Sequence, residues 1–293
     1  MTIADAHFPK VALLLHCNGT NGSTTLTDSS ANPKTVTVGG NAQISTAQSR
    51  FGGASLLLDG SGDYASVAND ANFDAGTGDF TIEMSCYRTG AGTGDRFLME
   101  RSNGAGFLLR WSSAGNLQFF IASSSVASAT FAFTVNTWYD IAVTRVGTAV
   151  NIWVNGTSIA SGTSSGSITA AASITIGGYR VGLSDYFQGH IDQVRFTSLQ
   201  GRYTGTYTPA AAEFPAYYGQ ISGVVRDSTT TPVQRTVRAY RRDTGALVAS
   251  TTSDPVTGAY TINSPSDQEM SVLCLDDAAG SVENDLVLRT TPA

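Results

Sequence analysis

The chain has 293 residues, of which 41% are hydrophobic and only 14% charged, against roughly 25% charged in an average globular protein. At roughly 150 residues per domain, this length predicts two domains or one large all-β domain with an appendage; the composition excludes a charge-driven disordered chain and a helical bundle, whose exposed faces carry many Lys, Glu and Arg. With 17 basic and 23 acidic residues the net charge is −6, so no basic stripe is available to release counterions from a nucleic acid.

The N-terminal Met1-Thr-Ile-Ala-Asp5 has neither a basic nor an apolar leader pattern, and no apolar run reaches 18 residues. Folding in the cytoplasm of the producing cell, without membrane insertion, is the expectation. Residues 11–15, Val-Ala-Leu-Leu-Leu, form a continuous apolar run that suits a strand covered on both faces. Residues 80–86 alternate with period two through Phe80, Ile82, Met84 and Cys86, and residues 117–121 do so with Phe120 out of phase. Tyr139, Ile141 and Val143 share one face of the next strand. Residues 150–154 then run into Asn155-Gly156, which predicts a type I′ hairpin turn. Trp153, out of phase with Ile152 and Val154, is expected to point away from the core, towards solvent, a partner subunit or the second domain.

Ile174 and Ile176 mark a further strand, ended by Gly177-Gly178. Phe187, Ile191, Val194 and Phe196 do not keep one parity, which predicts a bulge near Gly189-His190. The best helical candidate is a single turn at 210–213. Turn signals every 8–12 residues set the rhythm of an antiparallel sandwich or jelly roll.

Around residues 214–219 the composition changes, and five arginines follow within 226–242. The boundary divides the chain into domains of 1–216 and 217–293. In the smaller domain, strands are expected at 221–225, 237–240, 247–251, 260–262, 270–275 and 286–288, a second, smaller Ig-like or transthyretin-like β-sandwich. Cys17, Cys86 and Cys274 are far apart and lack a Cys-x-x-Cys pair, so free thiols are expected in place of a disulfide framework or zinc site.

Four stretches, in order, carry a family resemblance: Ser49-Arg-Phe-Gly-Gly-Ala-Ser-Leu-Leu-Leu-Asp-Gly-Ser-Gly-Asp-Tyr64, Gly78-Asp-Phe-Thr-Ile-Glu-Met84, Trp138-Tyr-Asp-Ile-Ala-Val-Thr-Arg145 with Val150-Asn-Ile-Trp-Val-Asn-Gly156, and Tyr186-Phe-Gln-Gly-His-Ile-Asp-Gln-Val-Arg-Phe196. Together they resemble the laminin G-like branch of the concanavalin A-like jelly rolls. The opening Leu13-Leu-Leu-His-Cys-Asn-Gly-Thr-Asn-Gly22 and the closing Arg202-Tyr-Thr-Gly-Thr-Tyr-Thr-Pro209 resemble the form common in tailed-bacteriophage virion proteins. The smaller domain is similar to carboxypeptidase-regulatory-like domains. The resemblance implies an all-β fold, an antiparallel concanavalin A-like jelly-roll sandwich, with Arg202 and Tyr203 in a segment wrapping its edge.

It also implies calcium at the sandwich rim, where Asp59, Asp63 and Asp192 are the candidate ligands, since Asp59-Gly-Ser-Gly-Asp63 offers oxygens at alternate turn positions. The alternative is that Asp59 and Asp63 cap turns while Asp192 bonds backbone amides. Catalysis lacks a constellation. Glu83 and Glu100 are not clustered as a glycosidase requires, and His190 with Asp192 has no nucleophile elbow. Glycan binding needs an exposed aromatic with polar neighbours. The candidates are Trp111 with Arg110, and Tyr179 and Arg180 with Tyr186; core or cross-strand packing is the alternative for each. Arg238, Arg241 and Arg242 around Tyr240 form either a solvated strand or a docking surface for an acidic partner.

The function these features suggest is a non-enzymatic structural component of a tailed-phage virion, with a surface-exposed lectin-like module. Its partners would be other virion proteins, further copies of itself and host surface glycans. A carbohydrate-binding adhesin is the alternative, followed by a glycoside hydrolase.

Overall fold

The structure, a computed structural model, describes residues 4–90, 96–102, 105–179, 185–227, 229–265, 268–275 and 286–290. The chain is all-β, with 49% strand and 2% helix, in antiparallel sheets of a jelly-roll sandwich. It divides into two compact units, Lys10–Phe214 on one hand and Met1–Pro9 with Pro215–Ala293 on the other.

In the larger unit, one sheet runs Thr157–Thr163, Ala149–Val154, Trp138–Val146, Phe80–Arg88, Gln188–Ser198, Ser55–Asp59, Gln43–Ser45. Val11–Leu15 joins it by pairing with the last part of Gln188–Ser198, whose first part pairs with Ser55–Asp59. The facing sheet runs Ser124–Thr130, Asn116–Ile121, Gly106–Trp111, Arg96–Ser102, Ile174–Ile176, Tyr64–Val67, Val36–Gly39. Period-two alternation decides which side of each strand is apolar. Ile82, Met84 and Cys86 turn inward with Ile141, Val143, Ile152 and Phe196, against Phe107, Leu109, Phe119, Ile174 and Val67 from the other sheet. Phe107 stacks on Phe196 at 5.8 Å and bridges the two layers. Each large apolar side chain buried here contributes about 1.5–3 kcal/mol. Val11–Leu15 is buried at every position, as its unbroken apolar run requires.

Asn155 and Gly156 adopt φ values of 48° and 79°, the left-handed pair of the expected hairpin turn. Three local expectations are corrected. The bulge lies between Asp192 and Arg195, where Gln193 takes φ 50°, and not at Gly189-His190; the parity of the core residues breaks between Ile191 and Val194. Residues 210–213 form no helical turn, only a bend at 211–212, and the helical elements among the described residues are the short 3₁₀ turns Phe8–Lys10 and Ala71–Phe73. Residues 201–214 cross the outer face of the first sheet and do not wrap its edge. There Tyr203 reaches Glu83 on Phe80–Arg88 in mid-sheet, and Tyr207 packs edge-on against Trp153. Trp153 therefore does point outward, but it is buried under this strap, with its indole N–H donating to Thr144 Oγ1 at 2.8 Å.

The smaller unit has a two-stranded sheet, Gly219–Val224 with Ala259–Ser264, and a four-stranded sheet, Leu247–Thr252, Thr236–Arg241, Met270–Cys274, Leu286–Thr290. Ile221, Tyr260 and Ile262 from the first share a core with Val237, Ala239, Met270 and Val272 from the second. Arg241 is held by Asp243 and Arg242 by Glu269, so both are spent on local ion pairs. Cys17 and Cys86 are buried free thiols and Cys274 is a half-buried one. Asp276-Asp-Ala-Ala-Gly280, whose residues predict a hairpin-type turn, lies outside the described residues.

Candidate functional site: a tyrosine-lined cleft

Three short strands of the second sheet carry the same pattern, a hydroxyl residue between two apolar ones. They are Val36-Thr37-Val38, Ala65-Ser66-Val67 and Ile174-Thr175-Ile176. The apolar residues pack on the core, which turns each hydroxyl to the outer face. Antiparallel register then lines them up, with Thr37 opposite Ser66, Ser66 opposite Thr175, and Thr175 opposite Glu100.

Three tyrosines wall this row. The Tyr64 ring lies against Gly39, where a Cβ would come within 2.2 Å of it, and Tyr186 lies against Gly178, where a Cβ would come within 2.9 Å. Both positions must lack a side chain for the rings to sit down on the sheet. Tyr186 is held in place by its chain neighbours: Phe187 N–H donates to Gly177 O at 2.8 Å, and Phe97 N–H donates to Asp185 O at 3.1 Å. Tyr179 stacks on Phe97 with ring centroids 4.5 Å apart. Together with Gly178, the hydroxyl row and these rings enclose a cleft of about 150 Å³. Thr37 donates its hydroxyl to Ser66 O at 3.3 Å. Thr175 is 3% exposed and its Oγ1 has no hydrogen-bond partner. Burial, with the nearby Tyr64 and Asp63, pushes the Tyr186 hydroxyl above its ordinary pKa, so it stays protonated at neutral pH and can both donate and accept.

The structure thus brings Tyr179 and Tyr186 together; Arg180 lies outside the described residues. It does not join Trp111 and Arg110 to them. The Trp111 indole donates to Phe131 O at 2.9 Å, and one face of its ring is covered by the Arg88 guanidinium at 4.3 Å. Arg110 bonds Gln118 Oε1 at 3.0 Å and lies over Phe120. Tyr64, Thr37, Ser66 and Thr175 were not legible as site residues. The repeated apolar–hydroxyl–apolar triplet was their signal, and only the strand order makes it meaningful.

Asp59, Asp63 and Asp192 do not fit a calcium ion. Asp63 accepts Asn41 N–H at 2.7 Å on one oxygen and Asp59 N–H at 2.8 Å on the other, while Asp59 accepts Ser61 N–H at 2.7 Å. Asp192 is four residues along its strand from Gln188, the partner of Asp59, about 13 Å away. It accepts Arg50 and Phe51 N–H on one oxygen and Gln193 N–H on the other. Burial still pushes its pKa up to about 6, against the lowering effect of these amides. No group of three His, Cys, Asp or Glu among the described residues is placed to hold a metal.

Two arrangements mimic catalytic sites. His190 Nδ1 is 2.9 Å from Ser55 Oγ, but Ser55 donates its proton to Gln48 O at 2.7 Å. The imidazole must therefore donate to Ser55, the reverse of a general base, and both residues are buried. Glu83 lies under the 201–214 strap, bound by Arg195 through Nε and Nη2 at 2.7 and 2.9 Å and by the Tyr203 hydroxyl at 2.5 Å. The space beside it is about 20 Å³, room for one water and not for a sugar ring.

A family model described as the concanavalin A-like lectin/glucanases superfamily matches residues 59–199. Among solved structures, the chain is similar to the binding domain of botulinum neurotoxin serotype D, with 12% identity, a TM-score of 0.52, and coverage of 93% of this chain and 74% of that one. It is also similar to the binding domain of Paraclostridial Mosquitocidal Protein 1, with 16% identity, a TM-score of 0.51, and coverage of 96% and 75%. At these identities the likeness is one of fold. No curated protein sequence matches the chain.

Proposed function

Starting from a chain whose residues 59–199 match the concanavalin A-like lectin/glucanase family model, we propose that it is a non-enzymatic carbohydrate-binding protein that seats a sugar in the tyrosine-lined cleft. The observation that carries this reading is the cleft itself, where Tyr64, Tyr179 and Tyr186 stand beside the hydroxyl row of Thr37, Ser66 and Thr175. A sugar has an apolar C–H face and a rim of hydroxyls. Aromatic walls with a few placed polar groups are the complementary surface. A non-enzymatic role is supported by the acids. Glycoside hydrolysis needs two carboxyl groups flanking the scissile bond, whereas the described residues lining the cleft carry none and Glu83 is locked on the other sheet.

A glycan array probed with the intact chain is expected to give selective binding, and Tyr186→Ala should weaken it by about tenfold or more, the usual cost of truncating a central aromatic contact. An array without signal, or binding unaffected by Tyr186→Ala, overturns the reading.

The proposed setting is the surface of a tailed-phage virion, the larger unit serving as the host-facing module and the smaller as an assembly or spacer module. What supports it is the likeness of residues 13–22 and 202–209 to virion proteins of that kind. Its neighbours there would be other virion proteins and further copies of the chain. Mass spectrometry of purified particles should find the chain as a stoichiometric component; its restriction to the unassembled host fraction would refute the setting.

A further inference from the structure

Resting on the carbohydrate reading, we infer that the cleft selects a neutral sugar ring over an acidic one, and that the Thr175 hydroxyl is its specificity-determining contact. Among the described residues, every group lining the cleft is uncharged. The acids stand just behind it. Asp63 is the residue before Tyr64 and acts electrostatically on Tyr186, and Glu100, fully buried, is the cross-strand neighbour of Thr175. Arg110 lies over the Phe97 ring that backs Tyr179. A carboxylate-bearing sugar entering here would be desolvated with no guanidinium or ammonium among the described lining residues to pair it. A neutral ring brings no such penalty.

Thr175 adds direction. Burying a hydroxyl without a partner is costly, and a native structure that keeps one generally has a reason for it. Valine would fill the same β-branched space in the strand and pack at least as well. A threonine held at the floor of a cleft, with its oxygen unspent, is poised to exchange a hydrogen bond with a ligand hydroxyl. Thr37, in contrast, has already given its proton to Ser66 O. Sites that keep a polar group for a ligand discriminate strongly against ligands that leave it unpaired.

The test is calorimetric titration of the full chain, as wild type, Thr175→Val and Tyr186→Ala. The probes are methyl glycosides of neutral hexoses and N-acetylhexosamines, with methyl glucuronide and N-acetylneuraminic acid as the acidic pair. Neutral probes should bind and the acidic pair should bind at least about tenfold more weakly. Thr175→Val should lose about five- to tenfold in affinity for the neutral probe, the worth of one hydrogen bond, while its unfolding midpoint stays level or rises. Acidic probes binding as tightly as neutral ones, or Thr175→Val binding unchanged, overturns this inference and leaves the carbohydrate reading standing, provided Tyr186→Ala abolishes binding. Binding of no probe by the wild type, or full binding by Tyr186→Ala, overturns both.

Discussion

Glu83→Ala is expected to lower the unfolding free energy by about 3–5 kcal/mol, the usual cost of removing one partner from a buried ion pair. Glu83 and Arg195 are each about 5% exposed at the side chain, and Arg202 approaches the same carboxylate at 3.8 Å. Alanine would remove the carboxylate that both guanidinium groups face and leave the Tyr203 hydroxyl without its acceptor. Arg195 would lose its anchor while its other face stays packed on Phe214 at 3.7 Å. The measurement is urea unfolding followed by tryptophan fluorescence. All three tryptophans, Trp111, Trp138 and Trp153, lie in the larger unit, so the signal reports on that unit alone. A shift under about 1 kcal/mol would show that the pair is not the strap's fastening.

The same residue sets an acid limit. Burial pushes the Glu83 pKa up, but Arg195, Arg202 and the Tyr203 hydroxyl outweigh it and hold it below its ordinary value of 4.5. A group with a lowered folded-state pKa contributes its stabilisation fully above the unfolded value and loses it as pH falls through the folded one. Wild type should therefore lose this contribution only below pH 4.5, and Glu83→Ala should lack that part of the acid dependence. A catalytic Glu83 would behave differently, with activity abolished and stability kept.

Arg101→Met is expected to cost at least about 3 kcal/mol, because three buried carbonyls lose their donor together. Arg101 is fully buried. Its guanidinium donates to Ala172 O at 3.2 Å, Phe73 O at 3.1 Å, Ile168 O at 3.2 Å and Asn69 Oδ1 at 2.8 Å, and sits 2.7 Å from Asp74 Oδ1. It therefore ties the 69–74 segment to the 168–172 segment through their main chains. Methionine fills the volume and offers no donor. Lysine has a point charge in place of a planar fork and should recover less than half of the loss. Denaturation monitored as above checks both variants, and a Lys variant as stable as wild type would show that charge, not fork geometry, is what the site needs.

Local patterning made the strands legible. Residues 80–86 and 150–154 alternate so regularly that their inward faces can be assigned without a structure, and Asn155-Gly156 names its own turn. The position of the bulge was half legible. The parity break among Ile191, Val194 and Phe196 says that one is needed, but the residue that adopts the left-handed φ, Gln193, carries no glycine-like signal. Trp111 was misleading because a lone aromatic at the end of a strand looks the same whether its face is open or covered. Arg88, 23 residues earlier, decides that.

What the sequence determined by itself is the all-β class and the side of each strand that faces a core, because a side-chain period of two is a local property. What only the tertiary structure decided is which outward residues meet. Glu83 finds Arg195 112 residues away, and Thr37, Ser66 and Thr175 become one row across strands far apart in the chain. Strand order in a sandwich is set by non-local pairing and by the packing of two layers at once, and neither leaves a periodic trace in the residues that happen to become neighbours.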